Sequence, residues 1–233
     1  MPANSPFQVI GKGVYSLAEA SRLTRIPAQR IRRWLEGYSF VSSGKRRTSP
    51  PVLVPLLGRE AGPLALTFSD LIEVRFLDSF IEHGVSWKTV RAAAVAARTL
   101  VNSPHPFSSR KFMTDGRNIL ALIANETGEA ELLNIANDQW EFKQVITPLL
   151  YSGLEFNREG ATERWWPMKG KRMVVIDPKR AFGAPIVDIG GVQTRVLAAS
   201  AAAEGSQRRT AELYSVTPRA VRDAVAFETA LAA

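Results

Sequence analysis

The 233-residue sequence predicts an α+β fold in three parts. Three observations carry that expectation. Capped segments with apolar residues three and four apart fill the first hundred residues, strand-length apolar runs around polar turns fill the middle, and three further helical segments close the chain. The expected parts are residues 1–102, 103–171 and 172–233. With 45% hydrophobic and 22% charged residues, the chain has the make-up of a folded protein with a sizeable core.

The first elements read as two short helices. Ser16 is followed three residues later by Glu19, a pair whose hydroxyl and carboxylate satisfy each other's free backbone N–H groups, so a helix starts there. Leu17, Ala20 and Leu23 give it one buried face. Pro27 is expected at the first position of the next helix, where a missing N–H is harmless. In that helix, "PAQRIRRWLEGY", Ile31, Trp34 and Leu35 face inward, Gln29, Arg30, Arg32 and Arg33 face outward, and Gly37 is the stop. Arginine can grip guanine O6 and N7, and glutamine adenine N6 and N7, so these are base-reading residue types. A solvated charged face is the alternative for the same composition.

The next stretch, "SSGKRRTSPPVLVPLL", reads as a basic turn and an apolar strand answering Leu64 to Leu66. It is a β-hairpin tipped with Lys45, Arg46 and Arg47, suited to a phosphate backbone. Residues 68–101 then read as a helix capped by Ser69 with Leu71, Ile72, Phe76, Leu77 and Phe80 inward, a stop at Gly84, and a helix capped by Ser86 running to Asn102. Its alanines from Ala92 to Ala97 pack either within the chain or against a second copy.

The middle reads as strands about two turns, Asp115-Gly116 in "KFMTDGRNILALI" and Asn125 to Gly128, the latter leading to a strand from Glu131 to Ile135. A helix capped by Asp138 runs to Leu150, and a hairpin pairs Tyr151 to Phe156 with Glu163 to Trp166. Trp165 and Trp166 point to opposite faces of a strand, so one of them at most is expected in the core. The last part reads as a strand ending at Asp177-Pro178, a strand over Gly183 to Ile186, a turn at Gly190-Gly191, and helices near 194–203, 206–213 and 218–229. Thr217-Pro218 opens the last of these, with Val221 and Val225 inward and Arg219 and Arg222 outward.

Charge separates these parts. Residues 1–50 hold nine Lys and Arg against Glu19 and Glu36, a net +7, whereas the other 183 residues hold 21 basic and 20 acidic side chains, a net +1. Such a concentration is the footprint of a module that binds a polyanion. Several chemistries drop out. Without cysteine there is no disulfide, thiolate zinc site or cysteine nucleophile. His83 reads as a cation at a helix end and His105 as a loop residue between prolines, neither beside a carboxylate at ligand spacing, so no metal and no cofactor is expected. The middle shows no Ser/His/Asp set, phosphate-cradling loop or converging carboxylates, and the chain is not expected to be an enzyme. Its apolar runs stop short of the roughly 18 residues that span a membrane. The N-terminus does not read as a secretory signal, so the expected location is the cytoplasm.

The run "YSLAEASRLTRIPAQRIRRWLEGY", a hairpin, and "FSDLIEVRFLDSFIEHGVSWKTVRAA" together resemble the MerR-type winged helix-turn-helix, with a longer and more proline-rich segment between Tyr38 and Phe68. The stretch from "MVVIDPKRAFGAPIVDIGG" to "VRDAVAFE" resembles a domain of unknown function, family 433, with Phe182-Gly183 where that pattern has paired glycines. Both together, with "KFMTDGRNI" and "RWWPM", make the chain similar to VapB-type antitoxins paired with PIN-like, VapC-type ribonucleases. The resemblance implies a non-enzymatic protein that masks an acidic nuclease site and represses its own operon. DNA contacts would come from Gln29, Arg30, Arg32, Arg33, Lys45, Arg46 and Arg47. Toxin contacts would come from Trp165, Trp166, Arg208, Arg209, Arg219 and Arg222. A homodimer, or a hetero-oligomer with the toxin, fits a two-fold operator in double-stranded DNA. A ligand-responsive MerR-like regulator without a toxin is the alternative.

Overall fold

Ser16 and Glu19 form the reciprocal cap that their spacing requires. The Ser16 N–H donates to Glu19 Oε2 at 2.9 Å, and the Glu19 N–H donates to Ser16 Oγ at 3.2 Å. This cap joins β1 (Tyr15–Ser16) to α1 (Leu17–Thr24) in the computed structural model, which describes residues 10–53, 55–57, 63–82, 84–128, 130, 132 and 151–232. Those residues form two units. One takes its residues from 15–151 and 158–161, the other from 1–14, 152–157 and 162–233.

In the first unit Pro27 stands one position earlier than expected, as the extended residue before α2 (Ala28–Glu36), with its carbonyl accepting from the Arg30 and Ile31 N–H groups. Ile31, Trp34 and Leu35 are buried as their spacing predicts. The hairpin that follows is built differently from the expectation. β2 (Tyr38–Ser42) pairs antiparallel with β3 (Lys45–Ser49), and among the described residues the apolar stretch beyond does not pair with Leu64 to Leu66. Instead the Val52 and Leu53 N–H groups donate to the Trp34 carbonyl, and β4 (Ala65–Leu66) pairs with β1. The reason is the turn: Ser43 and Gly44 both take positive φ, 51° and 71°, which closes a two-residue hairpin immediately before the basic run.

α3 (Phe68–Glu82) is capped by Thr67, two residues before the expected Ser69. Asp70 sits three residues after Thr67, accepts from the Thr67 N–H and hydroxyl at 2.8 Å each, and returns its own N–H to Thr67 Oγ1. α4 (Trp87–Val101) starts on Ser86 and ends on Asn102 as expected, with Ala93, Ala94 and Ala97 buried within the chain.

The expected turn at Asp115-Gly116 does not form. α5 (Arg110–Thr127) runs straight through it, opened by the Ser109 hydroxyl, and ends at Gly128. Phe112, Gly116, Ile119, Leu120 and Ile123 recur at helical spacing and are all buried, so packing of that face outweighs the roughly 1 kcal/mol that a helical glycine costs relative to alanine. Of the strand expected from Glu131 to Ile135 only Leu132 is described, and it is helical. The helix from Asp138 to Leu150 and His83 lie outside the described residues.

In the second unit β5 (Leu154–Phe156) pairs with β6 (Thr162–Trp165), and β7 (Val174–Val175) with β8 (Ile186–Val187). A backbone bridge joins Trp165 to Ile176. Both tryptophans are buried, at 6% and 7% exposure, against the expectation of one at most. Trp166 packs on Val175 and Ile186, so the second face of its strand is covered, not solvated. α6 (Thr194–Glu204), α7 (Gln207–Leu213) and α8 (Pro218–Ala232) follow the expected spans and enclose Leu197, Ala211, Ala220, Val221 and Ala224 with Val187.

Candidate nucleic-acid interface

α2 presents one apolar and one charged face. Gln29, Arg30, Arg32 and Arg33 are exposed, while Trp34 stacks on Trp87 of α4 with ring centroids 5.6 Å apart and planes 14° from parallel. The first turn of α2 has no acidic side chain. At its end Gly37 turns into β2 with φ 72°, and a Cβ there would lie 2.3 Å from the Ser49 carbonyl oxygen. Only glycine lets the hairpin fold back this closely on the helix.

The hairpin register sorts its cations by face. Phe40 pairs with Arg47 and Ser42 with Lys45, while Val41 pairs with Arg46 between them. Since successive residues of a strand point to opposite sides, Lys45 and Arg47 share the face of Tyr38 and Phe40, and Arg46 lies on the other. The Arg33 guanidinium sits over the Tyr38 ring, 5.3 Å from its centroid. Thus Arg33 of the helix and Lys45 and Arg47 of the hairpin belong to one side of the module, an arrangement that can follow a groove and its flanking phosphates. The seven sequence-selected residues are therefore all exposed and divide by geometry. Arg30 is set apart by an ion pair, Nη1 to Asp78 Oδ1 of α3 at 2.6 Å.

Behind this surface lie contacts between residues far apart in sequence. Arg91 of α4 donates to Ser49 Oγ, and Arg98 to the Val52 carbonyl, so one helix holds both ends of the segment after the hairpin. Deeper, the Glu73 carboxylate accepts from the Phe107 and Ser108 N–H groups at 3.2 and 2.9 Å, and His105 Nε2 lies 2.7 Å from Asp70 Oδ1. Burial pushes the Glu73 carboxyl above its ordinary range, against the lowering effect of His105 and the two backbone N–H groups. Burial acts on His105 in the opposite sense, but the Asp70 hydrogen bond and the Glu73 charge outweigh it and raise the imidazole pKa. The Tyr151 hydroxyl donates to the Phe107 carbonyl at 2.8 Å. His105, read from sequence as a loop residue, is thus a buried tie. Its partner is 35 residues away, which no local spacing could reveal.

The proposed toxin contacts are placed unevenly. Trp165 and Trp166 are interior. Arg208 pairs with Glu212 at 3.2 Å, Arg219 stands 4.0 Å from Asp223, and Arg209 and Arg222 are exposed. Among the described residues no cluster of His, Asp and Glu is arranged to hold a metal, and no helix is long and apolar enough to cross a membrane.

No family model matches the chain. It is 27% identical over 221 residues to a protein of Mycobacterium tuberculosis (strain ATCC 25618 / H37Rv) named "Putative antitoxin VapB45", covering 91% of this chain and 92% of that one. The chain is similar to an antitoxin. It is also similar in fold to the crystal structure of Rv2018 from Mycobacterium tuberculosis, with a TM-score of 0.70, 25% identity, and coverage of 91% of this chain and 96% of that one. The likeness therefore runs through both units and is not confined to the basic helix and hairpin.

Proposed function

We propose that this chain is a non-enzymatic antitoxin of a type II toxin–antitoxin system. It neutralises a PIN-like ribonuclease by direct binding and represses its own operon by binding operator DNA as a homodimer. The observation that carries the antitoxin reading is the likeness to an antitoxin over nine tenths of both chains. The DNA half rests on the exposed cations of α2 and on Lys45 and Arg47, gathered on one side of the module. This is the layout of a winged helix-turn-helix, in which α2 enters the major groove and the hairpin meets the backbone. Toxin neutralisation falls to the second unit, where exposed Arg209 and Arg222 suit the acidic metal-binding residues of a nuclease.

Co-expression with the product of the neighbouring open reading frame, followed by size-exclusion chromatography and an RNA-cleavage assay, tests this reading. One stable complex with suppressed cleavage is expected. A chain that binds DNA but neither captures nor silences that product overturns the antitoxin reading and leaves the ligand-responsive regulator.

A further inference from the structure

The ion pair between Arg30 and Asp78 divides the arginines of α2 into two kinds. With about 100° of rotation per residue, Arg30 lies roughly 40° from Trp34, at the edge of the buried face, whereas Arg33 lies about 100° and Gln29 about 140° from it. Its guanidinium bonds to Asp78 at 2.6 Å across 48 positions of sequence, and the Asp78 side chain is only 12% exposed. The bond takes up a donor of Nη1 and draws the guanidinium toward α3, so Arg30 meets a base only with the donors that remain or by leaving a sheltered carboxylate without this bond. Ties to α4, the Trp34–Trp87 stack and the Arg91 and Arg98 hydrogen bonds, fix the inner face of α2 and the segment after the hairpin. The Arg30–Asp78 pair acts at the outer flank, where it resists rolling of α2 about its own axis.

We propose that Arg30 is a positioning residue, held by Asp78 to set the roll of α2 on α3, and that base reading falls to Gln29, Arg32 and Arg33. This rests on the DNA-binding reading. A rolled helix misplaces its base contacts together, so losing the pair lowers affinity at all positions, whereas losing a reader erases the preference at one.

The test selects preferred sites from a randomised 30-base-pair duplex library with the full-length protein and compares variants. Arg30→Ala and Asp78→Asn are each expected to weaken binding about three- to tenfold, with the profile of base preferences unchanged and no further loss in the double variant. Arg33→Ala is expected to erase the preference at one base pair. Exchanging the charges, Arg30→Asp with Asp78→Arg, is expected to bring affinity back to within about twofold. Loss of one base preference in Arg30→Ala, with Asp78→Asn binding as well as or better than the parent, overturns the proposal. A second readout needs no DNA. Asp78→Asn is expected to speed amide exchange across residues 28–36, and unchanged protection there overturns the positioning role even where the chain is folded. A parent protein that selects no sequence refutes DNA reading, while the exchange measurement still decides whether the pair holds α2.

Discussion

Helices α1 and α2 near the N-terminus and α7 and α8 near the C-terminus are both helix pairs joined by a tight turn, and both carry arginines outward. They differ in where the acids lie. Beside α7 and α8, Glu212 faces Arg208 at 3.2 Å, and Asp223, 1% exposed, holds Lys171 at 2.8 Å with Arg219 at 4.0 Å. Beside α2 and its hairpin, Glu19 is occupied by its helix cap and Asp78 by Arg30, while Lys45 and Arg47 stand exposed on the face shared with Tyr38, under Arg33. Formal charge counts do not show which of those cations face a carboxylate. What matters to a polyanion is how many cations can release its counterions without first giving up a carboxylate.

This contrast can be broken experimentally. The largest effect is expected from Lys171→Met, which strips the nearest cation from buried Asp223. Denaturant unfolding should show a loss of about 2–3 kcal/mol, below the usual figure for a buried pair because Lys171 is half exposed. DNA affinity per folded molecule should stay unchanged, and a parallel loss would put the C-terminal helices on the DNA. Next, Arg33→Ala should cost about 1–2 kcal/mol of sequence-specific binding in gel-shift titrations, with little change on random duplex. Lys45→Ala and Arg47→Ala should each flatten the salt dependence of binding by about one unit of slope, whereas Arg46→Ala, on the other hairpin face, should leave the slope alone. Arg208→Ala should change stability by less than about 0.5 kcal/mol and DNA binding not at all.

A titration sharpens the same contrast from the side of the first unit. His105 and Glu73 both have folded pKa values above their ordinary ones, 6.5 and 4.5. Their stabilising contributions are therefore complete below those values and are lost as pH rises through the folded pKa values. Urea midpoints should fall from mildly acidic to mildly alkaline pH, and His105→Gln should flatten the upper part of that decline.

What the sequence made legible was local. The Ser16–Glu19 cap, the buried trio Ile31, Trp34 and Leu35, the Ser86 and Asn102 helix ends, and the three C-terminal helices all rest on spacings of three or four residues, and they formed within a residue or two. Where a local signal competed with packing, packing won. Asp115-Gly116 carries a strong turn signal, yet Gly116 sits on the apolar face of α5 and is held there by its neighbours. The tryptophan pair misled because strand alternation says which side a residue faces, not whether that side is wet. Within the candidate site the residue types were visible but their arrangement was not. That depends on Asp78, 48 positions from Arg30, and on a register in which Lys45 and Arg47 face one way and Arg46 the other.

One carboxylate ties much of the first unit together. Asp70 gives one oxygen to Thr67, capping α3, and the other to His105, anchoring the loop that leads into α5. Two segments 35 residues apart are therefore anchored to one side chain, and a substitution at Asp70 removes both anchors at once. For an evolving lineage this separates two kinds of change. Substitutions on the exposed faces of α2 and the hairpin leave this tie untouched, because Asp70 is fully buried beneath them.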